Sequence, residues 1–65
     1  MVEILGENYI SDKEASLRYG YSQKWFIKKR QEKSGPPFVQ LLKNGRVLYH
    51  LESTDKWFRE RIEQI

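Results

Sequence analysis

The sequence predicts a small α+β domain built from two N-terminal helices, a two-stranded hairpin and a C-terminal helix. Three observations predict it. Ser11 and Glu14 stand at capping-box spacing ahead of a short helical stretch that Gly20 closes. An Asn44-Gly45 pair separates two short apolar runs. The last stretch places Trp57, Phe58, Ile62 and Ile65 on one helical stripe. With 65 residues the chain has room for one domain, 1–65, and its core must be thin. A chain of this size buries only about 60% of the surface it exposes when unfolded.

Residues 1–8 read as a loosely held lead-in, after which Tyr9-Ile10 can add a short strand or an apolar plug. The Ser11 hydroxyl can accept from the Glu14 N–H while the Glu14 carboxylate reaches back to the Ser11 N–H, which starts a helix over Asp12–Tyr19. Ala15 and Tyr19 share one face of it, and Leu17 points away. Ser22 then caps a second helix over 23–33, and two helices joined by a turn of about three residues around a glycine make a helix-turn-helix. Ser34-Gly35-Pro36-Pro37 stops that helix, because proline lacks the N–H and holds the chain extended. Residues 38–42 read as a strand, 43–46 as a tight turn with a two-residue type I′ loop, and Val47–His50 as the returning strand. The last helix spans 52–64, with Trp57 and Phe58 expected as the main core contribution.

Charge is distributed unevenly. Residues 1–21 carry Lys13 and Arg18 against Glu3, Glu7, Asp12 and Glu14, a net of −2. Residues 22–46 carry Lys24, Lys28, Lys29, Arg30, Lys33, Lys43 and Arg46 against Glu32 alone, a net of +6. Residues 47–65 carry Lys56, Arg59 and Arg61 against Glu52, Asp55, Glu60 and Glu63, a net of −1. A positive middle third is the electrostatic footprint of a polyanion partner; the alternative is a solvated helix face. No run reaches the roughly 18 apolar residues of a membrane span. The first ten residues lack the basic start and apolar core of a secretory leader. A cytoplasmic protein without membrane contact is the expectation. The absence of cysteine removes disulfides and thiolate metal sites.

On the second helix, Phe26 marks the buried face, with Ser22, Lys29, Arg30 and Lys33 near it. Lys24, Lys28 and Gln31 project opposite, and Gln23 lies near the helix start. That row suits a major groove: lysine meets guanine acceptors or phosphates, and glutamine reads adenine. Trp25, Phe26 and Ile27 span roughly 200° of the helix, so they cannot all be buried against one neighbour. Trp25 either packs under the hairpin or contacts a sugar or a thymine methyl. At the hairpin tip, Lys43, Asn44 and Arg46 can follow a phosphate strand or enter a narrow minor groove. His50 is the only histidine and has no Cys or second His as a partner, so packing or capping is the expected role. No nucleophile–base pair and no phosphate-cradling loop is legible. Neither a catalytic site, a cofactor nor a metal is expected.

The order of pieces is similar to a known family. Tyr9-Ile10-Ser11-Asp12-Lys13-Glu14-Ala15, then Gly20-Tyr21-Ser22, Gly35-Pro36-Pro37-Phe38-Val39, Gly45-Arg46-Val47-Leu48-Tyr49 and Lys56-Trp57-Phe58 resemble the excisionase-like and AlpA-like small winged helix-turn-helix proteins, related to the MerR DNA-binding domain. The resemblance runs from Tyr9 to Ile62. It implies a recognition helix in the major groove of duplex DNA, with Gln23, Lys24 and Lys28 on the DNA and Arg46 on a wing. It also implies a phage or mobile-element protein that bends DNA, binds repeated sites cooperatively and partners a tyrosine or serine integrase as an excisionase. A transcription regulator with the same fold is the alternative it leaves open. Three positions depart from the pattern: Trp25 stands for a small polar residue, Arg18 for a leucine and Thr54 for an aliphatic residue. Two rival readings use other surfaces. One is an adaptor touching a recombinase or polymerase through Lys56, Arg59 and Glu63; the other is a single-strand or RNA binder stacking bases on Trp25 and the tyrosines.

Overall fold

A computed structural model describes residues 1–41 and 43–62. The elements run β1 (Val2–Ile4), β2 (Glu7–Ile10), α1 (Asp12–Tyr19), α2 (Gln23–Glu32), β3 (Val39–Gln40), β4 (Val47–His50) and α3 (Leu51–Ile62). The protein is thus a small α+β unit, with three helices and a four-stranded antiparallel sheet of order β1-β2-β4-β3 among the described residues. None of these helices is long and apolar enough to cross a membrane.

The N-terminal segment forms two strands. β1 and β2 form a hairpin in which Ile4 pairs with Glu7, so Leu5 and Gly6 alone make the turn. Both have positive φ, 53° and 80°, the mirror-image geometry that matches the twist of two paired strands. Leucine is a poor residue there, and sequence patterns for such turns look for Asn or Gly first, so the hairpin was missed. β2 continues into the sheet by pairing Tyr9 with His50 and Ile10 with Tyr49.

The first two helices form as the sequence predicts. The Ser11–Glu14 capping box is present in both directions, at 3.2 and 3.0 Å. Gly20 ends α1 with φ 81°, and its N–H donates to the Ser16 carbonyl. The Ser22 hydroxyl accepts from the Trp25 N–H at 3.1 Å to start α2. That helix stops at Glu32 because Lys33 turns into the left-handed region (φ 58°), where its N–H reaches the Arg30 carbonyl.

The β3–β4 hairpin differs from the two-residue loop that Asn44-Gly45 predicts. Among the described residues the last pair joins Gln40 to Val47, a register two positions out of step with a loop of Asn44 and Gly45 alone, and neither Asn44 nor Gly45 has positive φ. The cause lies upstream. Pro36 is buried, and Gly35 lies so close to α2 that a Cβ there would meet the Lys29 Cβ at 2.7 Å. This anchor fixes where the strand begins, and the Gln40 side chain closes the longer loop by donating to the Gly45 carbonyl at 2.8 Å. Leu42, the last residue of the expected strand, lies outside the described residues, as do positions 63–65, which include Ile65 of the expected stripe.

The core gathers Ile10, Ala15, Phe26 and Tyr49, with Tyr19, Trp25, Val47, Leu51 and Phe58 packed around it. Phe26 meets Tyr49 edge-on at 5.4 Å, and Tyr19 stacks on Phe58 at 4.2 Å. Phe26 and Tyr49 are therefore the main core residues. Trp57 and Phe58, expected in that role, are only half-buried, and Ile62 is 64% exposed. α3 lies along the rim of the core, so its aromatics cover the core without entering it.

Two ion pairs bind helix to helix. Arg18 donates to both carboxylate oxygens of Asp55, at 2.9 and 2.7 Å, and the Tyr19 hydroxyl donates to Asp55 at 2.6 Å. The Arg18 guanidinium holds the Asp55 carboxyl below its usual range, and burial pushes the Tyr19 phenol up. Arg18 thus makes a bidentate link from α1 to α3. Arg30 donates to Asp12 and to the Tyr49 hydroxyl, both at 2.7 Å.

Thr54 is fully buried, and its Oγ1 finds no hydrogen-bond partner among the described residues. An unsatisfied buried hydroxyl costs about 1–3 kcal/mol, and valine has the same branched shape without it. Thr54→Val should therefore raise stability by about 1 kcal/mol. The measurement is the denaturant midpoint at unchanged slope. A lower midpoint would show that the hydroxyl does have an acceptor.

Candidate nucleic-acid interface

The outward face of α2 is built by helical spacing alone. With Phe26 turned into the core, Gln23, Lys24, Ile27, Lys28 and Gln31 are all exposed. Lys24 and Lys28 make no ion pair among the described residues. Ile27 is 41% exposed in the middle of this polar row. Sequence alone does not place it on this face. The signal for it was the run Trp25-Phe26-Ile27, which needed one member outside the core.

Trp25 does not pack under the β3–β4 hairpin. Its ring stacks on Tyr21 at 4.4 Å, meets Phe26 edge-on at 4.9 Å and lies 6.1 Å from Phe58. It is therefore half-buried on the side of α2 that faces α3, away from the β3–β4 hairpin. An indole needs a broad apolar wall, and Tyr21 with Phe58 supplies one. Lys29 follows it: its ammonium sits 5.8 Å from the Trp25 ring centre and 3.5 Å from a Glu32 carboxylate oxygen. Ser22 has its hydroxyl oxygen engaged as the cap of α2.

The second part of the face comes from the β3–β4 connection. Lys43, Asn44 and Arg46 are exposed, and neither cation makes an ion pair among the described residues. Arg46 and Val47 line one shallow cleft together with Gln23, at the start of α2, and Ser11, Asp12, Lys13 and Arg30. The start of α2 and the start of β4 thus border the same hollow. Arg30 lies inside it but is already held by Asp12 and Tyr49. The sheet order separates charge: the acidic Glu3 and Glu7 lie in the β1–β2 half of the sheet, and Lys43 and Arg46 lie between β3 and β4 in the other half.

Elsewhere, α3 presents Trp57 with the Arg61 guanidinium 3.7 Å from its ring centre. Tyr21, Trp25, Trp57, Phe58, Arg61 and Ile62 line a groove there. Lys56 and Arg59 are exposed on the same helix, and Glu63 lies outside the described residues. His50 caps α3 by accepting from the Ser53 N–H at 3.3 Å, the role expected of it. It does not stand alone, however, for Glu7 and Glu52 lie beside it. No spacing rule joins residues 43 positions apart, and only the β2–β4 pairing brings them together.

What fold and site define together is a small α+β protein in which Gln23, at the start of α2, and Arg46 border one cleft, with Lys24 and Lys28 exposed on the outer face of α2. The chain matches no protein-family model, no curated protein and no solved structure.

Proposed function

We propose that this protein is a sequence-specific duplex-DNA-binding module of winged helix-turn-helix type, with α2 as the major-groove helix and the 41–46 connection as the wing. The observation that carries the reading is the cleft shared by Gln23 and Arg46. A helix start in the major groove and a basic loop beside it flank one phosphate strand, which is how such docking works. Lys24 and Lys28 supply charge, Gln23 and Gln31 hydrogen bonds, and Ile27 an apolar contact suited to a thymine methyl. Lys43, Asn44 and Arg46 follow the backbone. Trp25 and Lys29 stay with the α2–α3 packing.

Among DNA-binding roles, the resemblance favours an excisionase of a phage or mobile element that bends its site, with a transcription regulator as the alternative. The groove lined by Trp25, Trp57 and Phe58 favours a further contact with a protein such as a recombinase, and apolar aromatic grooves are common anchors for partners. An equilibrium titration tests the central claim. Affinity for a duplex carrying the site should fall steeply with salt, with a log–log slope of about −0.9 per phosphate contacted, and duplex should outcompete single strands of the same sequence. Equal affinity for single-stranded DNA would sink the reading in favour of base stacking.

A further inference from the structure

At the end of β4 remote from Arg46, the β2–β4 pairing gathers three side chains that the DNA reading does not use. We propose that Glu7, His50 and Glu52 form a binding site for one divalent transition-metal ion, with zinc as the ion that best fits the donors. One ligating atom from each residue lies within 4.8 Å of the other two. Donors about 2.1 Å from a shared tetrahedral ion lie about 3.4 Å apart, so small side-chain rotations close the site.

The register explains the juxtaposition. Tyr9 pairs with His50, so the start of β2 at Glu7 lies beside the junction where β4 passes into α3. All three residues border one hollow with Gly6, Asn8 and Leu51. Neither Glu7 nor Glu52 pairs with a lysine or arginine among the described residues. Facing carboxylates without a cation repel one another, and a divalent ion removes that repulsion.

The histidine is already oriented. Its Nε2 is hydrogen-bonded to Glu7, and its Nδ1 lies 2.6 Å from the Ser53 hydroxyl. When Nε2 takes the ion, the ring proton moves to Nδ1, the Ser53 oxygen accepts it as the outer partner of a ligating histidine does, and the Ser53 N–H gives up Nδ1 as its acceptor. One imidazole and two carboxylates suit zinc and its neighbours; calcium and magnesium prefer more ligands, all of them oxygen. The ion would tie the start of β2 to the end of β4 and the first turn of α3, in a chain with no cysteine to staple it.

The test uses the metal-stripped full chain and zinc chloride, read by calorimetry, by elemental analysis after dialysis and by the melting temperature. The expected result is one zinc per chain and a melting temperature that rises with zinc concentration. Calcium and magnesium should bind at least about tenfold more weakly. His50→Gln should abolish uptake. Because His50 also caps α3, Glu52→Gln and Ser53→Ala carry the test on a chain whose folding is checked by circular dichroism; each should weaken zinc at least about tenfold. The imidazole 15N shift should report Nε2 as the liganded nitrogen. Zinc uptake unchanged by both His50→Gln and Glu52→Gln, non-saturating uptake, or calcium binding as tight as zinc would overturn the proposal. None of these readouts involves DNA.

Discussion

Reversing two charges, Lys28→Glu with Arg46→Glu, should weaken duplex binding by of order 100-fold or more near ~0.1 M salt. Each cation is exposed and makes no ion pair among the described residues, so nothing inside the protein loses a partner when it is changed. A hydrogen bond to a charged group contributes about 1.5–3 kcal/mol, so two lost contacts amount to two decades or more before the new repulsion is counted. The alanine versions should lower the salt slope by about two, one unit for each phosphate released. Net charge alone would also weaken binding, and a matched control separates that effect. Lys56→Glu with Arg59→Glu changes the total charge identically but lies on α3, so its loss should be much smaller and largely screened beyond about 10 Å. Both variants should melt near the parent, since exposed substitutions usually stay within about 0.5 kcal/mol. Equal loss in the two double variants would mean that charge matters and place does not, and the assigned face would fall.

The legible part of this protein was local. Ser11 with Glu14, Gly20, Ser22 and the Phe26 face all depend on neighbours within one helical turn, and each formed as its spacing predicts. What the sequence concealed was non-local or conformationally awkward. The β1–β2 hairpin turns on a leucine in the left-handed region, where residue preference points elsewhere. Asn44-Gly45 favours a two-residue loop, but the packing of Gly35 and Pro36 on α2 sets the strand start and outweighs that preference. The same holds for the site. The outward row of α2 follows from 100° steps, while the placing of Trp25 depended on which neighbour offered an aromatic wall. Periodicity cannot tell α3 from the hairpin. The Glu7–His50–Glu52 cluster was invisible for the same reason, as it exists only once β2 lies beside β4.

Phe26→Ala should remove about a third or more of the protein's stability, while the adjacent Ile27→Ala should leave it intact. Phe26 is fully buried and touches the rings of Trp25, Tyr49, Tyr19 and Phe58. Truncating such a residue costs about 3–5 kcal/mol, through lost transfer energy and the cavity left behind. A domain of this size holds only about 3–10 kcal/mol in total, so the loss takes about a third of it or more. Collapse around the cavity cannot recover much, because the four rings are held by other contacts. Tyr49 is bonded to Arg30, and Tyr19 to Asp55. Ile27 is one step along the same helix but 41% exposed, and its removal should shift the midpoint by no more than about 0.5 kcal/mol. If Ile27 meets a thymine methyl, Ile27→Ala should still lower affinity for the cognate duplex while leaving non-specific binding unchanged, because apolar base contacts discriminate sequence and phosphate contacts do not. The pair therefore divides the helix cleanly: denaturant midpoints should respond to position 26 and cognate affinity to position 27. A large stability loss at Ile27 would mean that its side of α2 is packed, and the outward face would have to be redrawn.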